Sequence, residues 1–358
     1  MNSKVNRTAI KRHKTRTIKI GNAKIGSKNP VVIQGMCNTK TTDVGKTVDQ
    51  INQVGELGCE MMRIAIPDIE AAKAIPKIKK GIKMPLIGDI HFDYKLALES
   101  IFQGIDKIRV NPGNISERKH LYAIISEAKK ANIPIRVGIN SGSVEKEILD
   151  KYKHPTPEAL VESALNNIKL FEDKGFNNIV VSLKSTDVFN TIESYKLFAE
   201  KSDYPLHVGV TEAGPLIPGI VKNTMGIATL LREGIGDTVR VSFTENPEVL
   251  IKVTKEILKM LGLYKKEPTI ISCPTCGRTE IKLMKLVKEV EEKLKDLRRP
   301  LKVAVMGCVV NGPGEAKEAD FGIAGGKGCG AIFKKGKVIK KVDEDKLVDE
   351  LMEVIKNS

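Results

Sequence analysis

The strongest constraint on the fold is a repeated alternation of short β-branched runs and longer amphipathic stretches that begins near residue 31. Each run predicts a strand and each stretch that follows it predicts a helix. The predicted strands cover residues 31–36, 62–66, 85–90, 107–110, 133–139, 178–183, 206–210 and 238–243. Eight β-α units over about 230 residues match a closed (β/α)8 barrel. An open doubly wound sheet is the alternative, and the lack of a G-x-G-x-x-G motif after the first strand argues against it.

A charged, proline-containing segment, Tyr264-Lys-Lys-Glu-Pro-Thr269, follows the last of these units and reads as a linker. We therefore predict an α/β protein with two domains, a TIM barrel over residues 1–264 and a small α+β domain over 265–358. The small domain has room for little core, so we expect metal binding to support its fold. Two local predictions complete the outline: a β-hairpin over residues 17–26 around Gly-Asn, and a flexible glycine-rich loop at 325–330.

The predicted strands end in polar residues, at the end of the barrel where such folds place their active sites. Within several strands the polar positions are two or four residues apart, which puts them on one face. We expect them to point into the barrel mouth. The candidate residues are Arg63, Asp89, His91, Arg109, Asn111, Arg136, Asn140, Lys184, Glu212, Arg240 and Ser242.

Five cations in this set face only two carboxylates, Asp89 and Glu212. Such an excess of buried positive charge is costly unless an anion with several charges neutralises it. Arginine forks suit phosphate oxygens, and a lysine adds a point charge. The pattern therefore predicts a diphosphate ligand.

The small domain carries a second chemistry, based on thiols. Cys273 and Cys276 form a C-x-x-C pair in Ser272-Cys-Pro-Thr-Cys-Gly-Arg278, and Cys308 lies in a second glycine-rich segment. Three cysteines in two such loops are typical of an iron–sulfur site. A zinc ribbon would show a second C-x-x-C pair, and none is present. From the residues alone, the fourth ligand is either Cys329 or an oxygen ligand such as Glu315.

Composition limits the other possibilities. The net charge is +15 and the isoelectric point about 9.4, which favours anionic partners or substrates. Aromatic residues make up only 4% and tryptophan is absent, which disfavours a base-stacking surface, so we expect no nucleic-acid partner. No apolar run is long enough to span a membrane, and no apolar segment follows the basic N-terminus as in a secretory signal. We therefore expect a cytoplasmic protein with reduced thiols and no membrane partner.

Several motifs together resemble the IspG/GcpE family of 4-hydroxy-3-methylbut-2-enyl diphosphate synthases, and the resemblance runs nearly end to end. They are Arg16-Thr-Ile-Lys-Ile-Gly21, Asp89-Ile-His-Phe-Asp-Tyr94, Arg109-Val-Asn-Pro-Gly-Asn114, Gly209-Val-Thr-Glu-Ala-Gly214, Ser272-Cys-Pro-Thr-Cys-Gly-Arg278 and Asn311-Gly-Pro-Gly-Glu-Ala316. One departure is found in Gln34-Gly-Met-Cys-Asn-Thr39, where the family usually has Ser and Thr at the positions of Gly35 and Cys37.

The resemblance implies a [4Fe–4S] cluster held by Cys273, Cys276 and Cys308, with Glu315 as the fourth ligand. It implies the substrate 2-C-methyl-D-erythritol 2,4-cyclodiphosphate, whose ring is opened and whose hydroxyl leaves as water in the methylerythritol phosphate route to isoprenoids. It also implies a homodimer in which the cluster domain of one subunit closes the barrel mouth of the other.

The chemistry of the residues agrees with these roles. A carboxylate is a harder and more displaceable iron ligand than a thiolate, so Glu315 can give way to a substrate oxygen. Asn311 in the same loop is a candidate for hydrogen bonding to substrate or cluster, and Glu212 and His91 are candidate proton donors. Ferredoxin or flavodoxin is the expected electron donor, and the net charge of +15 would steer such acidic proteins.

Two other functions are weighed against this one. The first is a phosphate-binding barrel enzyme of the dihydropteroate synthase type with a structural zinc domain and no redox chemistry. The second is a basic zinc-ribbon protein that binds nucleic acid, which the scattered charge disfavours.

Overall fold

The computed structural model describes residues 10–115, 117–308, 314 and 316–358. The chain divides into two compact units, Met1–Leu263 and Tyr264–Ser358. The first unit is built on eight parallel strands and the second on a five-stranded mixed sheet. The predicted α/β class, with a barrel followed by a small second domain, is confirmed.

The first unit begins with a hairpin and continues as alternating strands and helices. Its strands are β1 (Ile18–Ile20), β2 (Ala23–Ile25), β3 (Val32–Met36), β4 (Met61–Ala65), β5 (Leu86–Asp89), β6 (Lys107–Val110), β7 (Ile135–Asn140), β8 (Ile179–Lys184), β9 (His207–Val208) and β10 (Thr238–Val239). Its helices are α1 (Val44–Glu56), α2 (Ile69–Lys80), α3 (Tyr94–Phe102), α4 (Arg118–Ala131), α5 (Lys146–Tyr152), α6 (Pro157–Glu172), α7 (Val188–Lys201), α8 (Leu216–Arg232) and α9 (Pro247–Met260).

The parallel strands follow the order β8-β7-β6-β5-β4-β3-β10-β9. A single parallel bridge between Val181 and Leu206 joins the two outer strands and closes the barrel. Side chains that alternate along each strand therefore point either into the barrel or toward the helices. The carboxyl ends of all eight strands meet at one rim.

The last two barrel strands are shorter than predicted, because the chain leaves the regular ladder after two residues in each. The two chain segments nevertheless stay close together beyond the ladder, because the Arg240 N–H donates to the Val208 carbonyl at 3.0 Å. A β-carbon added at Gly209 would lie 2.4 Å from the Arg240 carbonyl oxygen. Only glycine permits this approach of the two backbones.

The predicted N-terminal hairpin is confirmed, and it covers the amino ends of the barrel strands. β1 pairs antiparallel with β2, and Gly21 adopts a positive φ of 55° in the turn. The hairpin's isoleucines pack against apolar side chains at the beginning of four barrel strands. This apolar floor consists of Ile18, Ile20, Ile25, Val32, Met61, Ile87 and Val180.

The second unit has its own core between one sheet face and two helices. Its elements are β11 (Thr269–Ser272), α10 (Leu283–Leu294), β12 (Lys302–Met306), β13 (Phe321–Gly326), β14 (Cys329–Lys334), β15 (Lys337–Asp343) and α11 (Leu347–Lys356). Leu286, Val290 and Leu294 form a buried stripe at helical spacing along α10. From α11, Leu347 and Leu351 complete the core.

One prediction for this unit is wrong. Residues 325–330 are not a flexible loop but the tight connection and adjoining ends of β13 and β14, with Gly325 paired to Gly330. A β-carbon at Gly325 would lie 2.7 Å from Ile281, and one at Gly330 would lie 2.9 Å from Leu347. The glycines are there because side chains from outside the sheet pack directly onto its backbone.

Within the described ranges, no helix combines the length and apolar character needed to cross a lipid bilayer.

Candidate active site

The barrel strands place charged side chains side by side at their carboxyl ends. In the parallel registers, Asp89 on β5 lies beside Arg109 on β6, and Arg109 lies beside Arg136 on β7. Arg63 on β4 and Lys184 on β8 extend the set, and Arg240 follows β10 directly. All are buried except Arg240, which is partly exposed.

Asp89 is the one predicted carboxylate that the structure brings into this cation cluster. Its Oδ1 lies 3.9 Å from Arg63 Nη1 and 3.5 Å from Arg109 Nη1. Burial by itself would raise the pKa of Asp89, but Arg63, His91, Arg109 and Arg136 together outweigh it and hold that pKa far below its usual value. Asp89 therefore stays ionised and orients the guanidinium groups.

His91 lies just beyond Asp89 and is about half exposed. Its Nε2 is 3.4 Å from Asp89 Oδ2 and 3.1 Å from Arg109 Nη1. The ring therefore stands at the junction of the buried charges and the solvent.

The predicted polar residues Asn140, on β7, and Asn111, after β6, make different contacts. With its amide oxygen toward Arg109, Asn140 accepts from Nη2 at 3.3 Å. Asn111 is buried, donates to Ser143 Oγ at 2.7 Å and accepts from the Gly113 N–H at 3.2 Å. Asn140 thus contacts the cation cluster, whereas Asn111 holds the following turn in place.

Two further predicted residues are not in direct contact with the cluster. The Ser242 hydroxyl donates to the Val210 carbonyl at 2.7 Å. Glu212 is exposed in the loop after β9 and adopts a positive φ of 51°. For a residue other than glycine this backbone is strained, and such strain is concentrated at functional sites.

The cation cluster has more hydrogen-bond donors than acceptors. Arg109 Nε, Arg240 Nε and both Nε and Nη1 of Arg136 are buried and have no hydrogen-bond partner in the part of the chain that the structure describes. Burial, followed by repulsion from neighbouring cations, lowers the pKa values of Arg136, Arg240 and Lys184. Because a guanidinium stays protonated in proteins, these shifts express the cost of holding unneutralised charge. An anion with several oxygens would satisfy both the donors and the charge.

Sequence reasoning missed several residues of this interior. Lys107 and His207 are fully buried at the beginnings of β6 and β9. A signal for Lys107 was present, since it lies two residues before Arg109 and so shares its face of the strand. Gly138 was also missed: a β-carbon there would lie 2.9 Å from Arg109 Nε, so its small size makes room for that guanidinium.

The thiols of the second unit follow neighbouring strands. Cys273 comes directly after β11, and Cys308 comes two residues after β12, with which β11 pairs in parallel. The Gly307 N–H donates to Cys273 Sγ at 3.2 Å, a contact of the kind that tunes thiolate ligands in iron–sulfur sites. Cys276 is exposed in the intervening loop. Free thiols at one edge of the sheet, one of them already accepting an N–H bond, fit a thiolate-bound metal group.

Asn311 and Glu315 lie outside the described residues. In the described ranges, no group of three or more His, Cys, Asp or Glu side chains is gathered for a metal ion. Cys329, the alternative fourth ligand, begins β14 and is exposed.

Cys37 and Cys59 lie in the barrel and are buried. Burial raises the pKa of both thiols to about 12, and for Cys37 the neighbouring Cys59 adds to the shift. Both are therefore protonated at neutral pH, which argues against a nucleophilic role for Cys37.

Comparison with known proteins agrees with the resemblance seen in the motifs. The family model described as the GcpE TIM-barrel domain matches residues 15–255, and that of the GcpE protein C-terminal domain matches residues 269–357. A protein of Caldicellulosiruptor saccharolyticus is 58% identical over 95% of this chain and 98% of its own length. One of Caldanaerobacter subterraneus is 57% identical over 95% of this chain and 96% of its own length. Both are named 4-hydroxy-3-methylbut-2-en-1-yl diphosphate synthase (flavodoxin).

These matches leave the dihydropteroate synthase type of enzyme without support. They extend through both units and include the thiol-bearing domain. The chain belongs to the GcpE family.

Proposed function

We propose that the chain is a 4-hydroxy-3-methylbut-2-en-1-yl diphosphate synthase that acts on 2-C-methyl-D-erythritol 2,4-cyclodiphosphate. The reaction opens the cyclic diphosphate, breaks one carbon–oxygen bond to the ring and one to a hydroxyl, and forms a carbon–carbon double bond. Two electrons and two protons are consumed as the hydroxyl oxygen leaves as water. The observation that carries the proposal is the set of buried, unpartnered cationic donors at the rim of the barrel.

The barrel cations bind the diphosphate. Arg109 and Arg136 present free N–H groups from adjacent strands, and Arg240 does so from beyond β10. Asp89 keeps Arg63 and Arg109 in place by its ion pairs. Leaving-group charge that develops on the diphosphate as the ring opens would be stabilised by donors already fixed in position.

Cys273, Cys276 and Cys308 are the residues that would hold a [4Fe–4S] cluster, with Glu315 as the fourth ligand. When bound, such a cluster supplies electrons one at a time and a Lewis-acidic iron. The N–H of Gly307 donates to Cys273 Sγ and so helps to orient that sulfur.

His91 and Glu212 are proposed as proton donors. His91 reaches both the ionised Asp89 and the solvent, so it can be reprotonated after each turnover. Glu212 stands on the exposed loop that follows β9. Asn111, Asn140 and Ser242 are proposed to line the substrate pocket, and Asn311 to bind substrate from the loop that carries Glu315.

Flavodoxin is the proposed electron donor, because the relatives carry that word in their names. We further propose a homodimer and a cytoplasmic location. Steering of an acidic donor by the net charge of +15 predicts that the electron-transfer rate falls as salt is raised.

The function is tested by anaerobic visible and electron paramagnetic resonance spectroscopy of the reduced protein, with and without cyclodiphosphate, together with a product assay. We expect an iron–sulfur spectrum that changes on adding substrate, and turnover. Cys308→Ser should lose both, whereas the matched variant Cys329→Ser should keep both. A colourless protein that binds zinc and no iron after anaerobic reconstitution would contradict the proposal.

A further inference from the structure

Below the rim cations, the barrel interior contains a further group of polar side chains. We call it the inner layer and define it as Gln34, Lys107 and His207, from β3, β6 and β9. Their exposed fractions are 1%, 0% and 0%. Lys107 lies two residues before Arg109 on the same strand, so it points to the same interior but farther from the rim. The layer is electrostatically coupled to the rim, because Arg136 contributes to lowering the pKa values of both Lys107 and His207.

The inner layer rests on the apolar floor of the barrel. Val32 precedes Gln34 by two residues on β3 and packs against Ile18 and Ile20 of the hairpin. The hairpin thus covers the floor on the side away from the rim. A ligand of the inner layer would enter from the carboxyl ends of the strands.

Two donors of this layer lack an acceptor. Gln34 Nε2 and His207 Nε2 are buried and have no hydrogen-bond partner among the described residues. Lys107 Nζ is 3.5 Å from Gln34 Oε1, a long and weak contact. His207 Nδ1 lies 2.7 Å from Thr238 Oγ1, and when it accepts that hydroxyl, its Nε2 carries a hydrogen. Unsatisfied donors at this depth are costly and call for an acceptor.

Charge favours an anion over water as that acceptor. Burial and then Arg136 lower the pKa of Lys107 well below its ordinary value, and no carboxylate of the described residues offsets these effects. Asp89, the carboxylate of the cation cluster, forms its ion pairs with Arg63 and Arg109 at the rim. Water would satisfy the N–H groups but would leave the charge in place.

We infer that the inner layer is a second anion site, beneath the proposed diphosphate site, that binds a phosphoryl oxygen or a small inorganic anion. The occupant is either the inner phosphoryl group of the substrate, which makes Lys107 and Gln34 further substrate-binding residues, or a separate ion such as chloride. Either occupant would be recognised in the same way, by N–H donors and by the excess positive charge of the site. The first of these cases rests on the proposed function, whereas the second does not.

The test compares Lys107→Met with the matched exposed variant Lys252→Met in the full chain. Methionine keeps the length of the lysine stem and removes the charge, so the fold should be retained. Affinities for inorganic pyrophosphate and for chloride are measured by calorimetry. Loss of one charged hydrogen-bond donor should weaken binding about 10- to 100-fold in Lys107→Met, with no change in Lys252→Met.

Each result has a defined meaning. Weakened pyrophosphate binding alone identifies a phosphoryl group as the occupant, and weakened chloride binding alone identifies a separate ion. Unchanged affinity for both in Lys107→Met overturns the inference. If that variant does not fold, crystals of the wild-type protein grown with bromide or with pyrophosphate provide the test. Ligand density beside Lys107 Nζ supports the site, and the absence of such density with both ligands overturns it. Arg240→Ala serves as the separate check of the rim, because normal pyrophosphate binding by that variant would count against the proposed function instead.

Discussion

At the scale of single residues, the rim of the barrel is organised by an imbalance of charge. Asp89 is ionised and pairs with Arg63 and Arg109, yet it leaves Arg136, Lys184 and Arg240 without a carboxylate partner of their own in the described structure. This arrangement is electrostatically unfavourable, and a bound anion would relieve the repulsion. Affinity for an anion and the protonation of these groups are therefore linked.

The first prediction concerns this linkage at Lys184. Burial, followed by Arg240 and Arg136, lowers the pKa of Lys184 well below its ordinary value in the free protein. A bound anion raises that pKa again, so binding takes up protons once the pH reaches the lowered value. The affinity for inorganic pyrophosphate that depends on Lys184 should therefore fall as the pH rises through the lowered pKa of the free protein. Far below that pKa the lysine is protonated with and without the anion, so its contribution should no longer depend on pH. Calorimetry in two buffers of different ionisation enthalpy measures the uptake.

The control for that prediction is Lys184→Met, which should bind pyrophosphate more weakly and take up fewer protons. A proton balance that Lys184→Met leaves unchanged would show that this lysine does not respond to the anion.

The second prediction concerns Gly209, which lies between two rim residues. A β-carbon there would be 2.4 Å from the Arg240 carbonyl and 3.1 Å from Lys184 Nζ. Gly209→Ala should destabilise the barrel by about 1–3 kcal/mol, because one strand must move, and should weaken pyrophosphate binding as well. Urea unfolding and calorimetry measure the two effects. Gly142→Ala, where nothing lies within 4 Å of the new carbon, is the control and should change neither.

At the scale of helices and strands, the sequence predicts most of the barrel, because each strand is a buried run and each helix an amphipathic stretch. All eight barrel strands lie where the pattern places them, and Asp89, Arg109 and Arg136 at the ends of three of them lie side by side. Period two along each strand is enough to predict which of these residues share a face.

Long-range packing accounts for what the patterns do not predict. The strand pairing of Gly325 with Gly330 depends on Ile281 and Leu347, which are distant in sequence. Likewise, the burial of Lys107 becomes visible only when β1 and β2 cover the amino end of the barrel. A lysine near a strand end reads as solvated surface when the covering element is unknown.

The third prediction concerns the hairpin that covers the barrel. Ile20 is fully buried against the barrel floor, whereas its neighbour Lys19 is exposed. Ile20→Ala should lower the free energy of unfolding by about 2–5 kcal/mol, since it removes buried apolar volume. Lys19→Ala should lower it by less than about 0.5 kcal/mol. Urea unfolding followed by circular dichroism measures both, and equal effects would show that the hairpin is not part of the barrel core.

At the scale of the whole molecule, anion recognition and thiol chemistry belong to different compact units. The cationic rim lies in Met1–Leu263, and the three candidate ligand cysteines lie in Tyr264–Ser358. Reduction of a bound substrate requires the two to come together, within one chain or between two chains.

The fourth prediction tests the proposed homodimer. Arg136→Met removes a rim donor, and Cys308→Ser removes a ligand thiol, so each variant alone should be inactive. If the thiols of one subunit serve the barrel of the other, mixed dimers of the two variants contain one intact site. A random mixture should then recover about a quarter of the wild-type activity in the product assay. No recovery, with mixed dimers shown to form by mass spectrometry, would place both functions in one chain.

The separation of the two cores has a consequence for the protein when iron is scarce or oxidants are abundant. The rim cations and the apolar floor beneath them are all residues of the first unit. A chain that has lost the proposed cluster should therefore still capture the proposed substrate without converting it. Under such conditions a growing share of the protein would bind this compound without converting it, which lowers the concentration of free substrate. The rate of product formation would then fall faster than the loss of active enzyme alone explains.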